Sequence, residues 1–184
     1  MSITRTYLCF LVLSVFLSGC SISRHENTVV GTDPAEASEL PLEGIDKEIA
    51  DKESEYGIPP GLLKSISFVE SNSKPFAVNS KKKSHYFSSK KDAVQFIKKS
   101  VASGHRNLSV GCFQLHYGSH NKRFRSIDEM VSPKQNIEYA AKLLKRLHDQ
   151  YGSWEKAIKK YHAGNPRHNK VYYAKVMRTY NSSR

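Results

Sequence analysis

The chain has 184 residues, with 29 Lys and Arg against 17 Asp and Glu, giving a formal net charge of +12 and a sequence pI of about 9.6. So basic a protein suits an acidic partner, and nucleic acid is the first to weigh. The lysines are scattered over the polar faces of expected helices, and there is no helix-turn-helix, zinc-finger or RNA-recognition signature, so a nucleic-acid partner is not expected.

Arg5, the apolar run from Tyr7 to Phe16 and the small-residue stretch Leu17-Ser18-Gly19-Cys20 read as an export signal, too short to span a bilayer as a permanent helix. The four residues ending at Cys20 resemble the lipobox of bacterial lipoproteins, in which the cysteine is acylated. An ordinary secretory signal cut nearby, with Cys20 incidental, is the alternative. Ser21 after the cysteine implies, by the sorting rule of that class, a periplasmic protein anchored to the outer membrane. The expected division is a signal at 1–19, acylated Cys20 with a tether over 20–43, and a domain over 44–184. The tether sets Arg24 against Glu26, Asp33, Glu36, Glu39 and Glu43 without a helical apolar pattern. Removing those charges and Arg5 from the total leaves +15 on residues 44–184. Cys9 leaves with the signal and acylation consumes Cys20, so Cys112 stands alone and no intramolecular disulfide is expected.

Ile45, Ile49 and Tyr56 mark a first helix ending at Gly57. Pro59 and Pro60 open a second, whose Leu62, Leu63, Ile66 and Val69 recur at helical spacing and which closes at Asn72 to Pro75. Glu70 follows Leu63 by seven residues and Ile66 by four, on the face that should meet the core. Desolvation there, and the negative end of the helix dipole, disfavour the charged carboxylate and should raise its pKa toward that of a general acid. Taken alone, a glutamate edging a solvated face is the plainer reading. Phe76 to Phe87 reads as a small β-hairpin around the polar Asn79 to Ser84.

Ser88 or Ser89 caps a helix through about Ser103, with Ala93, Ile97 and Val101 on one stripe and Gly104 as its stop. Asp128 and Glu129 sit at a helix beginning. Ser132-Pro133-Lys134-Gln135 reads as a capping box before a helix that turns Ile137, Ala140, Ala141, Leu144 and Leu147 inward and ends at Gly152. Ser153 caps a short helix with Ala157, Ile158 and Tyr161 inward, stopped by Gly164-Asn165-Pro166, and a last helix runs from about Asn169 to Tyr180. The expected fold is mainly α with one small β element.

Glu70-Ser71, the Gly-x-x-Gln of Gly111 to Gln114, and Tyr161-His162-Ala163-Gly164, in that order, resemble the catalytic domain of the soluble lytic transglycosylases, members of the lysozyme-like superfamily. The third motif is similar to the family's Tyr-Asn-Ala-Gly, with His162 in place of the asparagine, and the resemblance covers residues 45 to about 180. It implies a lysozyme-like α-helical domain with a β-hairpin insertion, acting on peptidoglycan strands as a monomer without a cofactor. It implies that Glu70 is the sole acid and base, first protonating the oxygen between N-acetylmuramic acid and N-acetylglucosamine, then deprotonating the C6 hydroxyl to leave a 1,6-anhydro end. Ser71 would hydrogen-bond near the reacting sugar, and Gln114 would offer its amide to the glycan or else stabilise its own turn. Tyr161 would wall off water and position the acid with its hydroxyl, or else serve as a core tyrosine, the two roles being compatible. Gly111 would allow close approach or a positive φ, and His162 and His116 stand where glycan could be met, although the plainer reading of His162 is a tolerated, non-catalytic variant.

No histidine spacing suggests a metal site, and Cys112, amid apolar neighbours, reads as a buried inert thiol rather than a nucleophile. Two alternatives remain at this point. One is a hydrolytic muramidase of the same fold; the other is a wall-binding or assembly module with little catalysis. A role beside a secretion, conjugation or flagellar machine stands by analogy alone.

Overall fold

The computed structural model describes residues 44–162 and 166–183. The expected signal, Cys20, the tether, and Ala163 and Gly164 of the third motif lie outside the described residues.

Helix α1 (Ile45–Glu55) buries Ile45 and Ile49 and leads through Gly57, at φ +61°, to α2 (Leu62–Ser71). No side chain next to α2 caps its start. The cap comes instead from α1, where the buried Glu53 carboxylate accepts the N–H groups of Gly61 at 2.7 Å and Lys64 at 3.0 Å. A carboxylate at a helix N-terminus satisfies orphan donors and meets the positive end of the dipole. Leu63 and Ile66 are fully buried on the inner face, each contributing roughly 1.5–3 kcal/mol by leaving water. Asn72 ends the helix in the left-handed region at φ +58°.

A hairpin follows as expected, β1 (Ala77–Ser80) with β2 (Lys83–Tyr86), paired Ala77 with Tyr86 through Ser80 with Lys83. The expectation of a single β element needs correction. After α3 (Lys90–Ala102), capped by the Ser89 hydroxyl on the Asp92 N–H, come β3 (Leu108–Val110) and β4 (Leu115–His116). They complete a four-stranded antiparallel sheet in the order β2-β1-β3-β4. Strands of three and two residues are too short to show an alternating pattern, so β3 and β4 were hidden in the sequence.

A short helix α4 (Tyr117–His120) and a 3₁₀ turn (Asn121–Arg123) lead to α5 (Ile127–Val131), capped by Ser126. The central helix is α6 (Pro133–Tyr151), with Ile137, Ala140, Ala141 and Leu144 fully buried and Gly152 as left-handed cap. Its expected capping box does not form. Ser132 also ends α5, where its N–H is bonded to the Asp128 and Glu129 carbonyls, and its hydroxyl makes no cap bond to α6. Pro133 at the first turn needs no such partner. Helix α7 (Trp154–Tyr161) is capped by Ser153, and α8 (Pro166–Ser182) begins three residues before the expected Asn169, because proline suits a helix's first position. The described residues are thus mainly helical, with α6 packed against α1 and α7, and α8 laid across both α2 and α7.

Candidate active site

The last turn of α2 brings Glu70 to the surface of the core, where it lines three contiguous clefts. One runs over Phe68, Tyr86, Lys175 and Arg178; another reaches Gln114, His116 and Tyr161; the third lies under His162, Val171 and Tyr172. Burial pushes the Glu70 carboxyl up to about 7, against an opposing hydrogen bond from Tyr172. The direction agrees with the desolvation argument, and the group that opposes it is one the sequence did not single out.

That group is the Tyr172 hydroxyl on α8, which donates to Glu70 Oε1 at 2.7 Å. Tyr172, Val176 and Tyr180 are buried at helical spacing, so the stripe that packs α8 on α2 also delivers the hydroxyl. The expectation that Tyr161 positions the acid with its hydroxyl is corrected accordingly. Tyr161 is part-buried and lines the cleft beside Glu70, but its hydroxyl donates to the Phe113 carbonyl at 3.0 Å. Burial and the neighbouring Glu70 hold both phenols well above their usual pKa, so both remain donors.

The β3–β4 turn forms the facing wall. Gly111 sits at φ +80°, and a Cβ there would lie 2.4 Å from Asn136 Nδ2. Asn136, fully buried on α6, accepts the Phe113 N–H and donates to the Val110 and Met130 carbonyls, each at 3.1 Å. One side chain therefore locks the turn to the central helix, and no sequence motif announced it. Ser71 is also buried and donates to the Cys112 carbonyl at 2.9 Å, which ties α2 to the same turn and commits its proton to the fold rather than to a sugar.

Gln114 lies at φ +46°, and its amide nitrogen donates to Gly111 O at 2.8 Å and Ala77 O at 3.3 Å. Of the two readings of this amide, its nitrogen follows the turn-stabilising one. The carboxamide oxygen is what remains to accept from a ligand in the cleft it lines. Cys112 is fully buried and pushed up to about 12 by burial, an inert thiol as expected.

His162 stacks on the Tyr172 ring, centroids 4.4 Å apart and planes 10° from parallel, and burial lowers its pKa. His116 is held between Ser119 Oγ at 2.8 Å and Asn107 Oδ1 at 3.3 Å on the far side of the cleft. Glu70 is the only carboxylate among the described residues that line these three clefts. No cluster of His, Cys, Asp or Glu among the described residues is arranged to hold a metal ion.

Residues 47–181 match the family model of the transglycosylase SLT domain. Searches of curated proteins and of solved structures returned no match.

Proposed function

The chain belongs to the transglycosylase SLT domain family, a mainly α, lysozyme-like fold whose members are peptidoglycan lytic transglycosylases, and on that premise we propose that Glu70 carries the reaction as single acid and base. The observation behind this is a carboxyl at the junction of three clefts, the one carboxyl among the described residues that line them, pushed up to about 7 by burial. Because Oε1 accepts from Tyr172, the acid proton resides on Oε2. From there it passes to the glycosidic oxygen between N-acetylmuramic acid and N-acetylglucosamine as the C1–O bond breaks. The resulting carboxylate, steadied by Tyr172, then takes the proton of the muramic C6 hydroxyl as that oxygen closes on C1. The proton returns to Glu70, and the product is a 1,6-anhydro end.

A second carboxylate is unnecessary if the substrate's N-acetyl group stabilises the oxocarbenium-like centre. Gln114 Oε1 would accept from a glycan N–H or hydroxyl, and His162 would bound the cleft over Tyr172. The domain would be residues 44–184, held through acylated Cys20 and the acidic tether at the periplasmic face of the outer membrane. Peptidoglycan digested with the parent chain and with Glu70→Gln, followed by mass spectrometry, tests the reading. Anhydro-muropeptides from the parent alone support it; reducing muramic ends would mean hydrolysis, and no release from either would mean a non-catalytic wall-binding module.

A further inference from the structure

The cleft over Phe68 and Tyr86 holds more than a neutral sugar chain requires. It has a volume of about 460 Å³, begins at Glu70, and is bordered on its α8 side by Lys175, Arg178 and Thr179. Phe68 is 52 % exposed and Tyr86 61 %; with Val171, in the adjoining cleft, they are the large apolar side chains left exposed among the described residues. All three therefore gather around one carboxyl. Such aromatic faces suit the apolar faces of sugar rings.

The two cations differ from those lysines that the protein pairs with its own acids. Lys47, Lys64, Lys98, Lys142, Lys145 and Lys159 each hold a carboxylate of the protein. Lys175 and Arg178 are exposed, one turn apart on α8, and no carboxylate of the described residues pairs with either. A strand stripped of its stems offers them only the lactyl carboxylate held close against each muramic ring. Where the stems are intact that group is tied up as an amide, and the carboxylates lie farther out, on the peptides that branch from it.

We propose that Lys175 and Arg178 form a subsite for the peptide-stem carboxylates of a muramic residue beside the scissile bond, with Phe68 and Tyr86 carrying the adjoining sugar. This rests on the transglycosylase reading and narrows its substrate to peptide-bearing strands. Arg178 can take a carboxylate bidentately, while Lys175 supplies a mobile point charge.

The test uses purified strands with intact stems and the same strands stripped by an amidase. The parent should release anhydro ends faster from peptide-bearing strands, through a lower KM. In Lys175→Gln/Arg178→Gln the ratio of the two rates should fall roughly three- to tenfold, as expected for two solvent-exposed charge contacts. Cosedimentation of Glu70→Gln, with and without the double change, reads the same ratio as binding and does not depend on turnover. A parent indifferent to stems, or a double change that lowers both strands equally, overturns the subsite. Absence of anhydro ends from either strand overturns the reaction, and the sedimentation ratio still decides the subsite.

Discussion

Glu70→Gln should make the protein more stable while removing its proposed activity, and the gain should depend on pH. Burial moves this carboxyl from an ordinary 4.5 to about 7, so ionising it in the fold is harder than in the unfolded chain by roughly 3 kcal/mol, at ~1.4 kcal/mol per pH unit. Below pH 4.5 the group is protonated in both states and costs nothing. Between 4.5 and 7 the folded chain keeps a proton that the unfolded chain releases, so stability falls as pH rises, and above 7 the penalty is complete. A glutamine keeps an oxygen to accept from Tyr172 and never ionises. Urea unfolding should show parent and variant nearly equal at pH 4. At pH 8 the variant's midpoint should lie roughly 1–2 M higher, taking a slope of about 2 kcal/mol per molar. An offset that is constant with pH would refute the desolvation argument, and a variant less stable at pH 8 would reverse its sign.

Tyr172→Phe removes the hydroxyl that favours the Glu70 carboxylate, so the acid's pKa should rise further; a hydrogen bond to a charged group worth about 1.5–3 kcal/mol moves the alkaline limb of the pH–rate profile up by one unit or more. An unmoved limb would show that the bond does not act on the acid. Gly111→Ala meets both a φ of +80° and the Asn136 amide at 2.4 Å, and should cost at least about 3 kcal/mol, read as a large fall in Tm. Lys81→Asn with Lys82→Gly should raise stability by about 1 kcal/mol, because these residues hold φ of +52° and +63° in the two-residue β1–β2 turn. Cys112 should resist thiol reagents at pH 8 in the native chain and label only on unfolding, as mapped by peptide mass.

The helices were legible where physics writes a local signal. Ser89, Ser153 and Gly152 behave as the caps their positions announced, and Ile137 to Leu144 bury the stripe that their spacing drew. The candidate acid was legible because an α2 face carrying Leu63 and Ile66 must also carry Glu70 inward. The β1–β2 register was faint because Lys81-Lys82 lacks the Asn-Gly signature of its turn, and β3 and β4 were invisible at three and two residues. Asn136 and Tyr172 are long-range partners, 26 residues beyond Val110 and 102 beyond Glu70. Nothing local marks them as partners; the one available signal was the helical spacing of Tyr172, Val176 and Tyr180, which was not read as an inward face.

The two misplaced hydroxyls explain one another. Ser71, Tyr161 and Asn136 each spend at least one hydrogen bond on the 110–113 backbone, so the turn facing Glu70 is held from α2, α7 and α6 at once. A wall fixed from three helices cannot drift when α8 does. Glu70, by contrast, takes its one side-chain hydrogen bond among the described residues from α8, through a ring stacked on His162 at the end of α7. The acid's protonation state therefore depends on how closely α8 seats on α2, while the opposite wall does not. Burial outweighs the opposing Tyr172 bond at Glu70, so any change that loosens α8, including one at Val176 or Tyr180, should let water reach the acid and bring its pKa down toward the ordinary range, with the turn left in place.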